Sequence, residues 1–371
     1  MRRIGYRLAA ALLAIGLLAA ADEPPPALQR GINITHWFRY PPSRDAKALR
    51  DYLDDNVLES LRRMGFTFIR LPVQTDLLGS PGALADAIAR VQRHGLAVVV
   101  ALFADGWHLE SDALDRARLI ATWRALGPVL RPLDPRLTFP EVLNEPVFSN
   151  DPGAWSLLQR QIVGAIRAAL PGDTIVLTGA DWGSVAGLLS LPPEPDPNLV
   201  YSFHFYEPAE LTSLGAYHPG LDSATMAMLP FPVLDEAGCA AIAETAGDRP
   251  TAELIRFYCG QRWDASAIAA RIAAAGVWAK RHHVAVIAGE FGASQRLNAA
   301  ARLSWLRTVR AACEQQGIGW ALWGYDDSMG FAATFRTGHD EVDRGLQTRS
   351  GYAQSNNEEA SPRAIQVPIM R

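Results

Sequence analysis

The chain has 371 residues, of which 49% are apolar and 20% are charged, and this balance excludes a disordered or fibrous protein. Its formal net charge of −4 disfavours nucleic acid and anionic membranes as partners. A neutral substrate suits this charge.

The first 21 residues are typical of a signal peptide. Three arginines flank the start of an apolar run at 8–18, and small residues at 19–21 precede Asp22. The apolar run is too short to span a bilayer comfortably. We therefore expect export, cleavage near Ala21, and a secreted or periplasmic protein without membrane contact. Cleavage removes the three arginines and lowers the net charge to −7.

Beyond the signal peptide, short apolar runs alternate with longer amphipathic segments, as in repeated strand and helix units around a parallel sheet. Eight runs rich in Val, Ile, Leu or aromatic residues are predicted to be strands: 31–35, 67–72, 97–103, 137–144, 174–178, 199–204, 284–290 and 319–324. Eight is the strand number of the TIM barrel. The sequence therefore predicts an α/β fold, a single catalytic (β/α)8 barrel domain over residues 22–371.

The segments between the strands carry helix start and stop signals. Asp151 can cap a helix that has Pro152 in its first turn and ends at Pro171. The other predicted helices are 46–64, 266–282 and 298–315, with helix exits at Gly65, Gly95 and Gly317.

One connection is longer than the others: about sixty residues separate Tyr206 from Asp264. Long connections of this kind are usually functional. Since this β6–α6 insertion follows strand six, we expect it at the C-terminal face of the barrel, as a wall of the substrate cleft. It contains Cys239 and Cys259, a possible disulfide, while Cys313 fits a buried helix position. None of the three cysteines has a metal-ligand spacing.

Functional residues of a parallel barrel lie at or just beyond the strand ends. Here these positions hold carboxylates, amides, imidazoles and tryptophans: His36, Trp37, Arg70, Asp105, Asn144, Glu145, Asp181, Trp182, His204, Tyr206, Glu290 and Trp323. Such residues can protonate a glycosidic oxygen, attack a sugar carbon and stack on pyranose rings.

Six motifs at these ends resemble glycoside hydrolase family 5. They are Gly31-Ile32-Asn33-Ile34 with Trp37, Phe68-Ile69-Arg70-Leu71-Pro72, Leu143-Asn144-Glu145-Pro146, His204-Phe205-Tyr206, Gly289-Glu290-Phe291-Gly292 and Trp320-Ala321-Leu322-Trp323. The resemblance covers nearly the whole mature chain. Its most specific part is Asn-Glu-Pro after strand four together with Gly-Glu-Phe-Gly after strand seven.

The resemblance implies a retaining reaction with Glu145 as acid/base and Glu290 as nucleophile. It also implies that Asn144 contacts the sugar 2-hydroxyl, and that Arg70 and Tyr206 hold and ionise the nucleophile. Two carboxylates from strands four and seven would face each other across the barrel mouth at about 5 to 5.5 Å, the separation that gives retention.

The resemblance further implies that His204 is a hydrogen-bonding partner in the site and that Trp323 is the platform beneath the reacting sugar. His36 and Trp37 are expected as supporting or substrate-binding residues. There is one departure, because Phe103 stands where the family commonly has a histidine. His108 or His36 could replace that histidine.

The resemblance and the long insertion with its aromatic residues imply hydrolysis of a β-linked glucan, with endo-β-1,4-glucanase (cellulase) activity first. The alternatives are a β-mannanase or β-1,3-glucanase of the same family, and a carbohydrate-binding barrel without turnover. No GxSxG or HExxH motif points to a serine or zinc hydrolase. We expect a monomer that needs no cofactor or metal and whose partner is a polysaccharide or oligosaccharide. Asp326 and Asp327 either line a subsite or cap a loop, and the segment 349–371 is not assigned.

Overall fold

The computed structural model describes residues 23–79, 81–218 and 220–331. The predicted signal peptide at 1–21 and the segment 349–371 lie outside the described residues. Within those ranges, none of the helices combines the length and apolar composition that a bilayer crossing requires.

Eight parallel strands form a closed barrel in chain order, and this confirms the predicted (β/α)8 fold. They are β1 (Arg30–Asn33), β2 (Phe68–Gln74), β3 (Ala97–Phe103), β4 (Thr138–Glu141), β5 (Ile175–Thr178), β6 (Leu199–Phe205), β7 (Ala285–Phe291) and β8 (Gly319–Leu322). Strand β1 pairs with both β2 and β8, which closes the sheet.

Helices surround the barrel and also build the loops at its mouth. The helices in the described ranges are α1 (Thr35–Phe38), α2 (Ala46–Asp51), α3 (Asp55–Arg63), α4 (Pro81–Arg93), α5 (Ala113–Leu130), α6 (Pro152–Ala169), α7 (Ala180–Gly183), α8 (Val185–Ser190), α9 (Ala209–Thr212), α10 (Ser223–Met226), α11 (Glu236–Ala241), α12 (Arg249–Gly260), α13 (Ala265–His282) and α14 (Ala299–Gln315). Short 3-10 helices lie at Pro26–Leu28, Thr75–Gly79 and Ile242–Thr245.

The helix signals were right at most ends. Asp151 caps α6 through the amide of Ala154, and the predicted exits at Gly65, Gly95 and Gly317 adopt φ values of 93°, 73° and 70°. The single helix predicted over 46–64 was wrong. It is divided into α2 and α3, because the Asp54 side chain accepts from the amide of Val57 and starts a new helix.

Strand β4 is shorter than predicted. The ladder ends at Glu141, although the expected strand extended to Asn144. Beyond it the chain still donates hydrogen bonds to both neighbours, from Val142 N to Val176 O and from Asn144 N to Leu102 O. Glu145 then adopts a φ of 42°, so the backbone turns out of the sheet at the barrel rim.

The barrel interior is layered. Its lower layer is apolar and comprises Leu28, Phe68, Ala97, Val99, Phe139, Val176, Val200, Ala285, Ile287 and Ala321. Gly31 leaves room for one of these rings, since a Cβ there would lie 2.3 Å from Phe68 Cζ. Side chains two residues apart on a strand point to the same face, so the next layer toward the C-terminal ends holds buried Arg70, Glu141, Thr178 and Ser202. The polar layer thus lies directly on an apolar floor.

The long insertion after β6 is not an irregular loop, as the predicted connection was, but a small helical subdomain. It contains α9 to α12, and a disulfide joins Cys239 in α11 to Cys259 in α12. Free Cys313 is buried in α14. The insertion packs on the segment after β7, where Ser294 N donates to Thr212 O at 2.8 Å. It therefore stands beside the C-terminal end of β7.

Candidate active site

Arg70 occupies the centre of the polar layer and is fully buried. Its Nε and Nη2 donate to the two carboxylate oxygens of Glu141 at 2.7 and 2.6 Å. Nη1 donates to Asn33 Oδ1 at 3.0 Å and to Glu290 Oε1 at 2.5 Å, and Nη2 also donates to Asn144 Oδ1 at 2.8 Å. All five guanidinium hydrogens are therefore used.

Two buried carboxylates share this one cation. Burial alone would lower the pKa of Arg70, but the charges of Glu141 and Glu290 raise it above its ordinary value. Arg70 is therefore a permanent positive charge that lies between the two carboxylates.

Glu290, at the end of β7, is held from three sides. Besides Arg70, the Tyr206 hydroxyl donates to Oε2 at 2.8 Å, and His204 Nδ1 lies 3.5 Å from the same oxygen. Burial, followed by the negative charges of Glu290 and Glu145, raises the pKa of Tyr206 well above its ordinary value. Tyr206 consequently stays a neutral hydroxyl that can donate to the carboxylate.

Glu145 lies opposite and is more open, with 32% of its side chain exposed against 4% for Glu290. Its Oε1 lies 2.9 Å from His204 Nδ1. One oxygen of each glutamate and one ring nitrogen of His204 all lie within 4.8 Å of one another. In the described part of the chain this trio is the single cluster with the spacing of a metal site, and the same groups can perform acid–base chemistry without a metal.

His204 links the two glutamates. Burial alone would lower the pKa of His204, but the charge of Glu290 and the hydrogen bond with Glu145 raise it above its ordinary value. Among the described residues, its Nε2 has no hydrogen-bond partner, nor do the buried hydroxyls of Ser202 and Thr178 below it. The orientation of the ring therefore depends on the glutamates at Nδ1.

Sequence reasoning missed two of the residues that bind Arg70. Asn33 in β1 accepts from Arg70 and donates through Nδ2 to Gly289 O at 3.1 Å, while Glu141 binds the guanidinium through both oxygens. Both are the last residues of their strands, but the predicted strands 31–35 and 137–144 ended two and three residues later, so neither residue stood at a predicted strand end. A polar residue on the inward face of an apolar strand was the available signal.

The aromatic and imidazole residues of the prediction divide into two groups. Trp323 is half-buried just after β8, and its amide donates to Phe291 O at 2.7 Å. His36 is half-buried near Asp326, with Nδ1 3.7 Å from a carboxylate oxygen. Trp37, by contrast, is fully buried and its indole donates to Leu49 O, so it can support the site but cannot contact a sugar.

Asp326 and Asp327 hold the segment after β8 against the start of α1. Asp326 accepts from the amide of Thr35 at 2.9 Å and from the Tyr52 hydroxyl at 2.6 Å, and Asp327 accepts from Thr35 Oγ1 at 2.9 Å. Of the two predicted roles, lining a subsite or capping a loop, these contacts fit the capping of a loop.

A pocket of about 260 Å³ opens beside Glu145. Its wall comprises Arg39, Phe103, Ala104, Asp105, Trp107, Leu109, Glu110, Leu143, Asn144, Glu145, Pro146, Val147, Phe148 and Trp182. Trp182 is 54% exposed, and its amide donates to Pro146 O at 3.1 Å, which fixes it to the segment that carries Glu145. Neither His36 nor His108 lines this pocket. The side chain over Phe103 is Arg39.

Comparison with known proteins gives a family. Residues 29–328 match the family model described as cellulase, glycosyl hydrolase family 5. Endoglucanase 3 of Fibrobacter succinogenes is 26% identical over 330 residues, which cover 80% of this chain and 49% of that protein. The chain thus spans about half the length of that relative. Endoglucanase C of Acetivibrio thermocellus is 21% identical over 319 residues, covering 81% of this chain and 91% of that protein.

Solved structures support the fold. Endoglucanase Cel5A of Thermotoga maritima superimposes with a TM-score of 0.69 at 20% identity, over 87% of this chain and 96% of that one. Since the family model covers most of the chain, including both glutamates and every strand, the chain belongs to the cellulase family, glycosyl hydrolase family 5, and is a glycoside hydrolase.

Proposed function

We propose that this glycoside hydrolase cleaves internal β-1,4 bonds of a glucan with retention of configuration, with Glu145 as acid/base and Glu290 as nucleophile. The observation that carries the proposal is the spacing of the two carboxylates, which have oxygens within 4.8 Å of each other. Retaining enzymes hold their carboxyl groups about 5 to 5.5 Å apart, whereas inverting enzymes leave room for a water at about 6.5 to 9.5 Å.

In the first step Glu290 attacks the anomeric carbon while Glu145 gives its proton to the glycosidic oxygen. Arg70 and Tyr206 bind the two oxygens of Glu290, so the attacking group is ionised and oriented before the substrate arrives. Glu145 makes no ion pair with Arg70 and is the more open carboxyl. It can therefore carry the proton that the leaving group needs.

In the second step Glu145, now ionised, takes a proton from water, and the resulting hydroxide displaces Glu290 from the sugar. His204 at 2.9 Å stabilises that ionised form, since the pKa of His204 is raised and the ring can bear a positive charge. The Oδ1 atom of Asn144 is used by Arg70, so its amide nitrogen is the group left for the sugar 2-hydroxyl. Trp323 supplies the platform beneath the reacting ring.

The relatives support a β-1,4-glucan. The two sequence relatives described above are named endoglucanases, and the structure of Thermotoga maritima Cel5A has been solved in complex with cellobiose. The same protein has also been solved with mannotriose, which makes β-mannan the second candidate. An endo mode is favoured because the sequence relatives are named endoglucanases.

We further propose that the protein is exported and acts as a monomer in the periplasm or outside the cell, as one domain from residue 22 onward. Intact-mass analysis of the protein recovered from the exporting host tests the cleavage site, with Asp22 as the expected first residue. Retention of the first 21 residues on the mature protein would contradict this part of the proposal.

The decisive experiment measures reducing-sugar release from carboxymethylcellulose, barley β-glucan, laminarin, mannan and xylan. Wild type is compared with Glu145→Ala, Glu290→Ala and the control Glu194→Ala, which removes a carboxylate paired with Arg160 away from the site. We expect activity on carboxymethylcellulose and barley β-glucan that both active-site variants lose, by about 10² to 10⁴-fold for Glu145→Ala. Activity on mannan alone would select the second candidate.

Product stereochemistry tests the mechanism separately. Proton NMR of the first products should show the β-anomer before mutarotation. Added azide should rescue Glu145→Ala with a β-glycosyl azide and Glu290→Ala with an α-glycosyl azide, because azide replaces water in the first variant and the nucleophile in the second. An initial α-anomer would overturn retention. Glycan binding without product by the folded wild type would point to a carbohydrate-binding barrel.

A further inference from the structure

The pocket beside Glu145 lies on one side of the cleavage point. Its wall includes Asn144 and Glu145 but not Glu290, Tyr206 or Trp323. On the proposed function, on which this inference rests, Glu145 protonates the oxygen that joins the reacting sugar to its leaving group. The leaving group lies on the face of the anomeric carbon opposite Glu290, and Glu145 beside its oxygen belongs to the wall of this pocket, so the pocket is placed to receive the leaving group.

Arg39 is the cationic side chain in that wall. Its guanidinium carbon lies 3.9 Å from the centre of the Phe103 ring and 4.7 Å from that of Tyr40, so the planar group is stacked between aromatic surfaces. The side chain is 18% exposed. Its nearest carboxylate, on Asp105, is 3.5 Å from Nη2, a long contact for an ion pair.

Arg39 also has one unused donor. Its Nε is buried and has no hydrogen-bond partner among the described residues. A buried donor without a partner costs free energy that is recovered when a ligand oxygen reaches it. Because stacking on Phe103 fixes the plane of the guanidinium, its donors are already oriented toward one arrangement of acceptors.

The charge of the pocket wall determines whether a neutral or an acidic sugar binds there. Asp105, Glu110 and Glu145 line the same pocket as Arg39, so carboxylates outnumber the cation. An acidic sugar would meet this excess of negative charge, whereas a neutral sugar offers hydroxyls that can accept from Arg39 and donate to Asp105. Trp182, with its exposed ring on the same wall, can pack against a pyranose.

We propose that this pocket binds the leaving-group sugar of a neutral β-glycan and that Arg39 is the specificity-determining residue of this subsite. Arg39 takes the position over Phe103 at the end of β3, where sequence reasoning expected a histidine. It donates to hydroxyls of the leaving-group sugar and does not contact the sugar that undergoes attack.

Two substrates separate these roles. Cellotetraose places at least one sugar in the leaving-group pocket, whereas β-cellobiosyl fluoride has the same reacting sugar but only fluoride as leaving group. Wild type, Arg39→Ala, Arg39→Lys and the control Arg44→Ala are compared by kcat/KM on both. Arg44 belongs to the same segment, but it pairs with Asp76 and does not line the pocket.

For Arg39→Ala we expect kcat/KM on cellotetraose to fall about tenfold or more, as expected when one or two hydrogen bonds are lost. On β-cellobiosyl fluoride the change should stay within about twofold. The kcat/KM of Arg39→Lys on cellotetraose should lie between those of wild type and Arg39→Ala. Lysine keeps the charge but lacks the planar guanidinium that stacks on Phe103. Arg44→Ala should match wild type on both substrates.

Two outcomes would overturn the proposal. Equal losses on both substrates would place Arg39 at the reacting sugar, and unchanged kinetics on both would show that it does not touch the substrate. A wild type that is inactive on both substrates would instead refute the proposed function itself. Thermal unfolding of each variant identifies any loss that comes from misfolding.

Discussion

Removal of the Tyr206 hydroxyl tests how the proposed nucleophile is held for attack. In Tyr206→Phe, Glu290 loses a hydrogen bond of 2.8 Å to Oε2 but keeps Arg70 at Oε1. A hydrogen bond to a charged group contributes about 1.5–3 kcal/mol. At 1.36 kcal/mol per tenfold change in rate, loss of this contact with the attacking carboxylate corresponds to about 10- to 150-fold. The value of kcat/KM should therefore fall by that factor.

The assay is kcat/KM on an aryl β-cellobioside from pH 3.5 to 8, for wild type and Tyr206→Phe. The control is Tyr258→Phe, which removes a hydroxyl that donates to Pro230 O within the insertion, away from the two glutamates. The control should leave kcat/KM unchanged. An unchanged kcat/KM in a folded Tyr206→Phe would refute the reasoning, since the hydroxyl would then contribute nothing to the attack by Glu290.

Three further predictions concern stability. Arg70→Met leaves two buried carboxylates without their cation and should lower the free energy of unfolding by about 3–5 kcal/mol in urea titrations; an unchanged midpoint would contradict this. Burial raises the pKa of Asp327 to about 6, above its unfolded value of 3.8, so its contribution to stability is complete below about pH 4 and is lost as the pH rises through 6. The unfolding free energy of wild type relative to Asp327→Asn should therefore fall by about 3 kcal/mol from pH 4 to pH 8, as urea titrations at each pH would show. Cys239→Ser opens a loop with a sequence separation of 20 residues and should cost about 3 kcal/mol in thermal or urea unfolding, with no further effect of reductant on the variant.

Much of the site could be predicted because a parallel barrel brings its strand ends together. Arg70, Asn144, His204, Tyr206 and Glu290 were all named from their positions near strand ends, and the structure joins them in one group through hydrogen bonds and, for His204, a 3.5 Å ion-pair contact with Glu290. The alternation of side chains along each strand fixed which of them face inward. This rule needs no knowledge of the loops.

The features that were missed depend on distant parts of the chain or on the backbone. The approach of Arg39 to Phe103 joins the segment after β1 to the last residue of β3, and no local pattern encodes such a contact. Strand β4 ends at Glu141 and the backbone turns at Glu145, with φ at 42°, whereas the predicted strand ran to residue 144. Trp182 likewise has a φ of 53°, held by its hydrogen bond to Pro146 O. Tertiary contacts override local preference at these positions.

The polar layer inside the barrel is better explained by catalysis than by stability. A buried ion pair often contributes no more than well-packed apolar residues of similar volume, so stability alone gives no reason for Arg70 and Glu141. Glu290, however, must be ionised to attack a sugar, and a buried carboxylate needs a cation beside it. That cation in turn requires acceptors for its remaining hydrogens, which Glu141, Asn33 and Asn144 provide. The requirement for one charged nucleophile thus accounts for the whole network beneath it.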